Sequence, residues 1–287
     1  MNRFVLVLLT GLAFGTSVVI TRFAISEIPP LPQVGFRLLI ASLAFLFTFF
    51  ILKGKPPSQG RQRLDIALIG VFGAAVPLLT LTTALQFVSS GMLTIFIAMS
   101  PLATALVAHF LLSDERLKAA KIIGLLLATS GVLFLIFTNT SGIPKVTLDI
   151  RGPLLSLIGV VAIAFSTVYT RARLKEVRPL VVSTWQTLAG ALVVAPFAFW
   201  LVRPDLSLVT WKGWLAVTYN GLVGSFIAFW LTFTIIKRYG ATSSVLPTYL
   251  MPAVAGIFGT VLLGELITFP LLIGAVIILA GVFLAKK

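Results

Sequence analysis

Apolar residues along this chain gather in ten stretches of about twenty, each interrupted mostly by small or hydroxylated residues and nearly all followed by a short polar connection. Twenty helical residues span a hydrocarbon core of roughly 30 Å. The pattern predicts helices near Phe4–Phe23, Leu31–Leu52, Leu64–Ala84, Ser89–Leu111, Ala120–Thr138, Gly152–Thr170, Leu180–Leu201, Gly213–Ile236, Ala241–Leu263 and Ile267–Leu284. No connection is much longer than about a dozen residues, so no separate soluble domain is expected. The fold class that follows is all-α, a polytopic membrane protein with ten transmembrane helices.

Composition agrees: 59% of residues are hydrophobic and 10% charged, against roughly a quarter charged in soluble domains. The net charge of +14 would suit a nucleic-acid partner, but its distribution points to a membrane instead. With the N-terminus inside, the cytoplasmic segments collect Arg3, Lys53, Lys55, Arg61, Arg63, Arg116, Lys118, Lys121, Arg171, Arg173, Lys175, Arg178, Lys237, Arg238, Lys286 and Lys287. The outer side keeps Arg22, Arg37, Lys145, Arg151, Arg203 and Lys212. That asymmetry predicts both termini in the cytoplasm of a cell whose cytoplasmic membrane holds the protein. The first apolar run is too long for a signal h-region and is not followed by a small-residue cleavage site, so it is expected to remain as the first helix. Absence of cysteine excludes disulfides and thiolate metal sites.

The chain also repeats itself. Pro101, Glu115, Gly124 and Gly131 recur as Pro252, Glu265, Gly274 and Gly281, with the glutamate-to-glycine spacings identical. Phe14-Gly15-Thr16 with Arg22 recurs as Phe165-Ser166-Thr167 with Arg173, and Phe36-Arg37-Leu38 more weakly as Trp185-Gln186-Thr187. The predicted organisation is a first repeat of five helices at 1–138, a linker at 139–150 and a second repeat at 151–287. An odd number of crossings per repeat inverts the second copy, which favours a substrate site between the repeats near the midplane. These residues resemble the EamA branch of the drug/metabolite transporter superfamily over essentially the whole chain. The resemblance implies a ten-helix carrier, commonly an exporter of amino acids or related metabolites, with a cavity lined chiefly by helices one, three, four, six, eight and nine.

Polar residues inside a bilayer are costly unless paired or hydrated, which makes them the candidates for substrate contact. Asn220, Tyr249, Thr16 with its repeat partner Thr167, Thr80, Tyr219, Gln186, Arg37 and Thr94 form that set, with interhelical hydrogen bonding as the plain alternative. Arg37 lies well inside its span and either snorkels outward or holds a substrate carboxylate or phosphate. Gly124, Gly131, Gly274 and Gly281 have a structural reading, since glycines two turns apart let backbones approach. Glu115 and Glu265 are expected to accept from the N-terminal amides of the following helix. Pro101 and Pro252, inside apolar runs, each remove a helical hydrogen bond and either kink for packing or bend around a cavity. The lone His109 near a helix end is a candidate for proton coupling or a structural donor, and Trp211 and Trp214 fit an interfacial belt.

No phosphate loop, metal-ligand group or carboxylate pair within one span supports an enzyme, and no cofactor is called for. The predicted partners are the lipid bilayer and a small-molecule substrate. The expected function is alternating-access export of a small polar or amphipathic metabolite, an amino acid or derivative first. A solute channel or a non-transporting scaffold or receptor is the alternative.

Overall fold

The computed structural model describes residues 2–57, 60–111 and 119–284. Among these, eight helices are long and apolar enough to cross a membrane: α1 Arg3–Ala24, α2 Pro30–Ile51, α3 Gly60–Ala84, α4 Ser90–Leu111, α5 Ala119–Phe137, α6 Arg151–Arg173, α7 Pro179–Val202 and α8 Trp211–Tyr239. Two shorter apolar helices follow, α9 Met251–Leu263 and α10 Phe269–Leu284. The chain is a multi-pass, all-helical membrane protein. Glu115 and Ser58 lie outside the described residues.

The ninth apolar stretch departs from its expected form. Instead of one helix over Ala241–Leu263, a single turn at Ala241–Ser244 and a 3-10 turn at Leu246–Tyr249 precede α9. Gly240, at φ +82°, ends α8, and Pro247 and Pro252 each fall at the first positions of a new segment. Proline there has no helical hydrogen bond to lose, so Pro252 begins a helix and does not kink one.

Pro77, Pro101 and Pro196 are absorbed within helices. Pro77 follows a π-helical turn at Val71–Ala75, and Pro196 precedes one at Ala198–Val202. Pro101 sits where α4 is pinched at Ala98–Met99, and the carbonyl of Ile97, four residues back, accepts instead from Ser100 Oγ at 2.5 Å. This is how a freed backbone acceptor is satisfied away from water.

Neighbouring helices pair in a definite pattern. α5 packs along α10 and α2 along α7; α1 packs against α9 and α8, and α6 against α4 and α3. Three apolar clusters result among the described residues, a small one of Ala24, Ile28, Ala216 and Val217 and two larger ones. Of the larger, one centres on Met92, Phe96, Val132, Leu135 and Ile278, the other on Phe45, Ile69, Val182, Val194, Phe229 and Phe233. The four glycines of the repeated motif meet in the α5–α10 interface. A Cβ on Gly281 would overlap the Gly124 carbonyl oxygen, one on Gly131 the Ile278 side chain, and one on Gly274 the Leu135 side chain.

Candidate functional site

Between the two larger clusters lies a cavity of about 160 Å³. Phe14, packed against both clusters, forms part of its wall. α1, α3, α4, α6, α8 and the turns leading into α9 supply most of the lining, while α2 and α7 contribute one side chain each, Arg37 and Gln186. The surface is mainly apolar, through residues such as Leu78, Leu81, Phe229 and Phe233, with hydroxyls of Ser17, Thr21, Ser166 and Thr170 set among them.

The polar groups are positioned by close helix approach at two glycines, each within a π-helical turn. Gly224, in the turn Leu222–Ile227 of α8, faces Ser17 of α1 and the Arg37 guanidinium; a Cβ there would collide with Ser17 Oγ. Gly73, in the turn Val71–Ala75 of α3, faces Ser166 of α6 and Gln186 Oε1, and a Cβ there would collide with Ser166 Oγ. π-helical turns in apolar helices often mark functional positions.

Arg37 does not snorkel. It is 4% exposed, and its Nε donates to Ser225 Oγ (2.7 Å), Nη1 to Thr21 Oγ1 (3.2 Å) and Nη2 to the Gly224 carbonyl (2.8 Å). All three acceptors are neutral, and among the described residues no carboxylate pairs with it. Gln186 and Thr170 are buried, and Gln186 Oε1 and Thr170 Oγ1 have no partner among the described residues.

Of the remaining sequence candidates, Thr167 lines the cavity and the others lie elsewhere. Asn220 is fully buried between α8 and α1: with its amide turned to satisfy both ends, Nδ2 donates to Ser17 Oγ (2.8 Å) and the Ser17 carbonyl (3.0 Å), and Oδ1 accepts from Thr21 Oγ1 (3.1 Å). Thr16 Oγ1 and the Tyr219 hydroxyl share a hydrogen bond of 2.7 Å. Thr80 Oγ1 donates to the Val76 carbonyl (2.9 Å) and Thr94 Oγ1 to the Gly91 carbonyl (2.7 Å), each within its own helix. Tyr249 stacks on Phe283 at 5.6 Å. None of these six lines the cavity. His109 packs its ring against Phe110, also away from it.

Sequence reasoning missed Ser17, Thr21, Ser166 and Thr170. A signal existed: Ser17-x-x-x-Thr21-Arg22 recurs as Ser166-x-x-x-Thr170-Arg171, 149 residues on, the same interval that separates Arg37 from Gln186. Matching Phe14 to Phe165 instead shifted that comparison by two residues and hid it.

One end of the cavity is closed. Lining residues there, Thr82, Leu85 and Leu93, are buried, and beyond them Glu265 accepts from the Ser90 amide (2.9 and 3.0 Å) and Ser90 Oγ (2.9 Å). The carboxylate therefore caps α4, not the following helix α10 as its position in sequence suggested. Gly264 in the left-handed conformation (φ +66°) ends α9 and turns the chain so that Glu265 reaches α4. Arg22 Nη1 donates to the Leu85 carbonyl beside it. At the other end, where α8 finishes and the turns before α9 begin, the lining residues Thr167, Thr232, Ser244 and Thr248 are half-buried.

The model of the EamA-like transporter family matches residues 3–137 and again 150–286. The chain belongs to this family. Similar proteins agree: the uncharacterized transporter YoaV of Bacillus subtilis is 24% identical, covering 95% of this chain and 92% of YoaV. The uncharacterized inner membrane transporter YedA of Escherichia coli is 29% identical over 88% of this chain and 80% of its own. A protein crystal structure with 20% identity superposes with a TM-score of 0.69 over 98% of this chain and 96% of the other, which establishes the likeness of fold. As an EamA-family member the protein is a membrane transporter.

Proposed function

We propose that this transporter is a secondary carrier of two inverted five-span repeats that moves a small polar or amphipathic solute across the cytoplasmic membrane by alternating access. The observation that carries the reading is a central cavity, apolar with a few polar groups, lined by residues of both halves and closed toward Leu85 and Leu93 by buried side chains. Helix pairing supports the repeat relation. Exchanging the halves turns α2–α7 and α5–α10 into themselves, α1–α9 into α6–α4, and α1–α8 into α6–α3. The family match, which falls twice on the chain, is consistent with this. α9 alone is about 20 Å long, so the turns from Ala241 to Tyr249 complete the ninth crossing in this reading.

The lysine and arginine distribution puts both termini in the cytoplasm, and YedA is by name an inner membrane protein. In that orientation the end of the cavity near Lys237 and Arg238 faces the cytoplasm, and the Glu265–Ser90 contact closes the outer end. A channel is less well supported, because a path sealed by a buried, hydrogen-bonded carboxylate requires rearrangement before solute passes. An amino acid or derivative, exported, is the leading substrate on family resemblance. The test is uptake into proteoliposomes: saturable flux with counterflow stimulation supports a carrier, whereas flux linear in solute concentration and indifferent to counter-solute overturns it.

A further inference from the structure

The two glycine-lined polar sites are alike in backbone and opposite in chemistry. At Gly224, a guanidinium has three of its five N–H groups taken by Ser225, Thr21 and the Gly224 carbonyl, and one N–H on each terminal nitrogen has no partner among the described residues. At Gly73, the residue 149 positions after Arg37 is Gln186, and the residue 149 positions after Thr21 is Thr170. The shorter neutral amide does not supply what the guanidinium supplies. The Thr21 hydroxyl accepts from Arg37, whereas Thr170 Oγ1 and Gln186 Oε1 are both buried with no partner among the described residues.

Each site is therefore incomplete in its own way. A buried cation among neutral acceptors lacks a counter-charge, which is costly in a low-dielectric interior. A buried carbonyl oxygen without a donor is costly for the corresponding reason. Arg37, Thr21, Gln186 and Thr170 all line the cavity, whose surface is mainly apolar. A volume of about 160 Å³ is close to that of cavities that hold a benzene ring.

We propose that positions 37 and 186 together set the solute class. Arg37 receives a single oxyanion group, the Gln186–Thr170 site receives an N–H or O–H donor, and the apolar wall holds a compact hydrophobic body between them. The consequence for transport rests on the carrier reading above; the consequence for binding does not.

Three probes of one shape separate the two contacts: 4-hydroxybenzoate carries both groups, 4-hydroxybenzamide lacks the anion, and benzoate lacks the hydroxyl donor. Binding is read as ligand-dependent thermal stabilisation of the purified full-length protein. Wild type is expected to bind 4-hydroxybenzoate at least tenfold more tightly than either of the others. Arg37→Gln should abolish the preference over the benzamide while keeping that over benzoate, and Arg37→Lys should keep part of the first. Gln186→Met should do the converse, and because it removes an unpartnered buried oxygen it is expected to fold even if Arg37→Gln does not. Wild-type affinity for 4-hydroxybenzoate equal to that for 4-hydroxybenzamide or for benzoate, no stabilisation by any probe, or variants that weaken all three alike would overturn the proposal. Stabilisation by 4-hydroxybenzoate without saturable flux in proteoliposomes upholds the site and removes the carrier reading. Saturable flux that favours the benzamide does the reverse.

Discussion

Two buried amides from this chain show how the same residue chemistry serves different ends. Asn220 has acceptors and donors from Ser17 and Thr21 around it and holds α8 to α1; Gln186 lines the cavity, and its buried oxygen has no partner among the described residues. Deleting a satisfied buried amide strands its partners, at a cost of about 1–3 kcal/mol. Asn220→Ala is accordingly expected to lower the thermal unfolding temperature in detergent and the yield of folded protein. The surviving molecules should keep the wild-type half-saturation concentration. A large rise in that concentration with unchanged stability would instead make Asn220 a solute contact. Tyr219→Phe, which breaks the single hydrogen bond to Thr16, should cost about 0.6 kcal/mol, the average for interhelical hydrogen bonds in membranes.

At the scale of elements, the glycines and the acidic cap fix how helices meet. The backbones of α5 and α10 approach so closely at Gly281 that even a methyl group would overlap the Gly124 carbonyl. Gly281→Ala should therefore destabilise by about 1–3 kcal/mol, the usual cost of overpacking, seen as a lower melting temperature with little change in affinity. A melting temperature equal to wild type would show that α5 and α10 separate without penalty. Glu265 links the α9–α10 turn to the start of α4. Glu265→Ala leaves the Ser90 amide and hydroxyl without their acceptor, so the closed end of the cavity should loosen. The chain has no cysteine, which gives a direct readout. Thr82→Cys, buried at that end, should react slowly with an impermeant thiol reagent and severalfold faster when combined with Glu265→Ala. Equal rates would mean that Glu265 does not hold the end shut.

At the scale of the whole molecule, orientation and energy coupling are the open consequences. If both termini are cytoplasmic, a single cysteine at Ser207 labels from outside intact cells and one at Ser58 does not; the opposite pattern reverses the orientation and with it the inverted-repeat argument. No acidic side chain lines the cavity among the described residues. Relays for protons or sodium in membranes are ordinarily built on such groups, so the expected behaviour is facilitated diffusion or solute exchange. Flux should run without an imposed ion gradient and stop when the solute gradient is removed. Uphill accumulation driven by a pH or sodium gradient, with no counter-solute, would overturn this.

Much of the fold was legible from the sequence for a physical reason: in lipid the backbone must satisfy itself within each span, so length and apolarity alone dictate helices. Within about two to four residues, eight spans stand where the hydrophobic pattern predicted them. The ninth stretch departed because Gly240, Pro247 and Pro252 act locally to break a helix that hydrophobicity alone would continue. The site was less legible. A polar residue in a span reveals that it has a partner, but not whether the partner is a neighbouring helix or a solute, since that depends on how each helix is rotated and which helices meet. Sequence singled out Asn220, Tyr219, Thr16 and Arg37 as polar residues inside spans; only the packing of α1, α2 and α8 put the first three into interhelical contacts behind or outside the cavity lining and Arg37 at its wall. Glu265 caps a helix 175 residues distant in sequence, a pairing that no local pattern encodes.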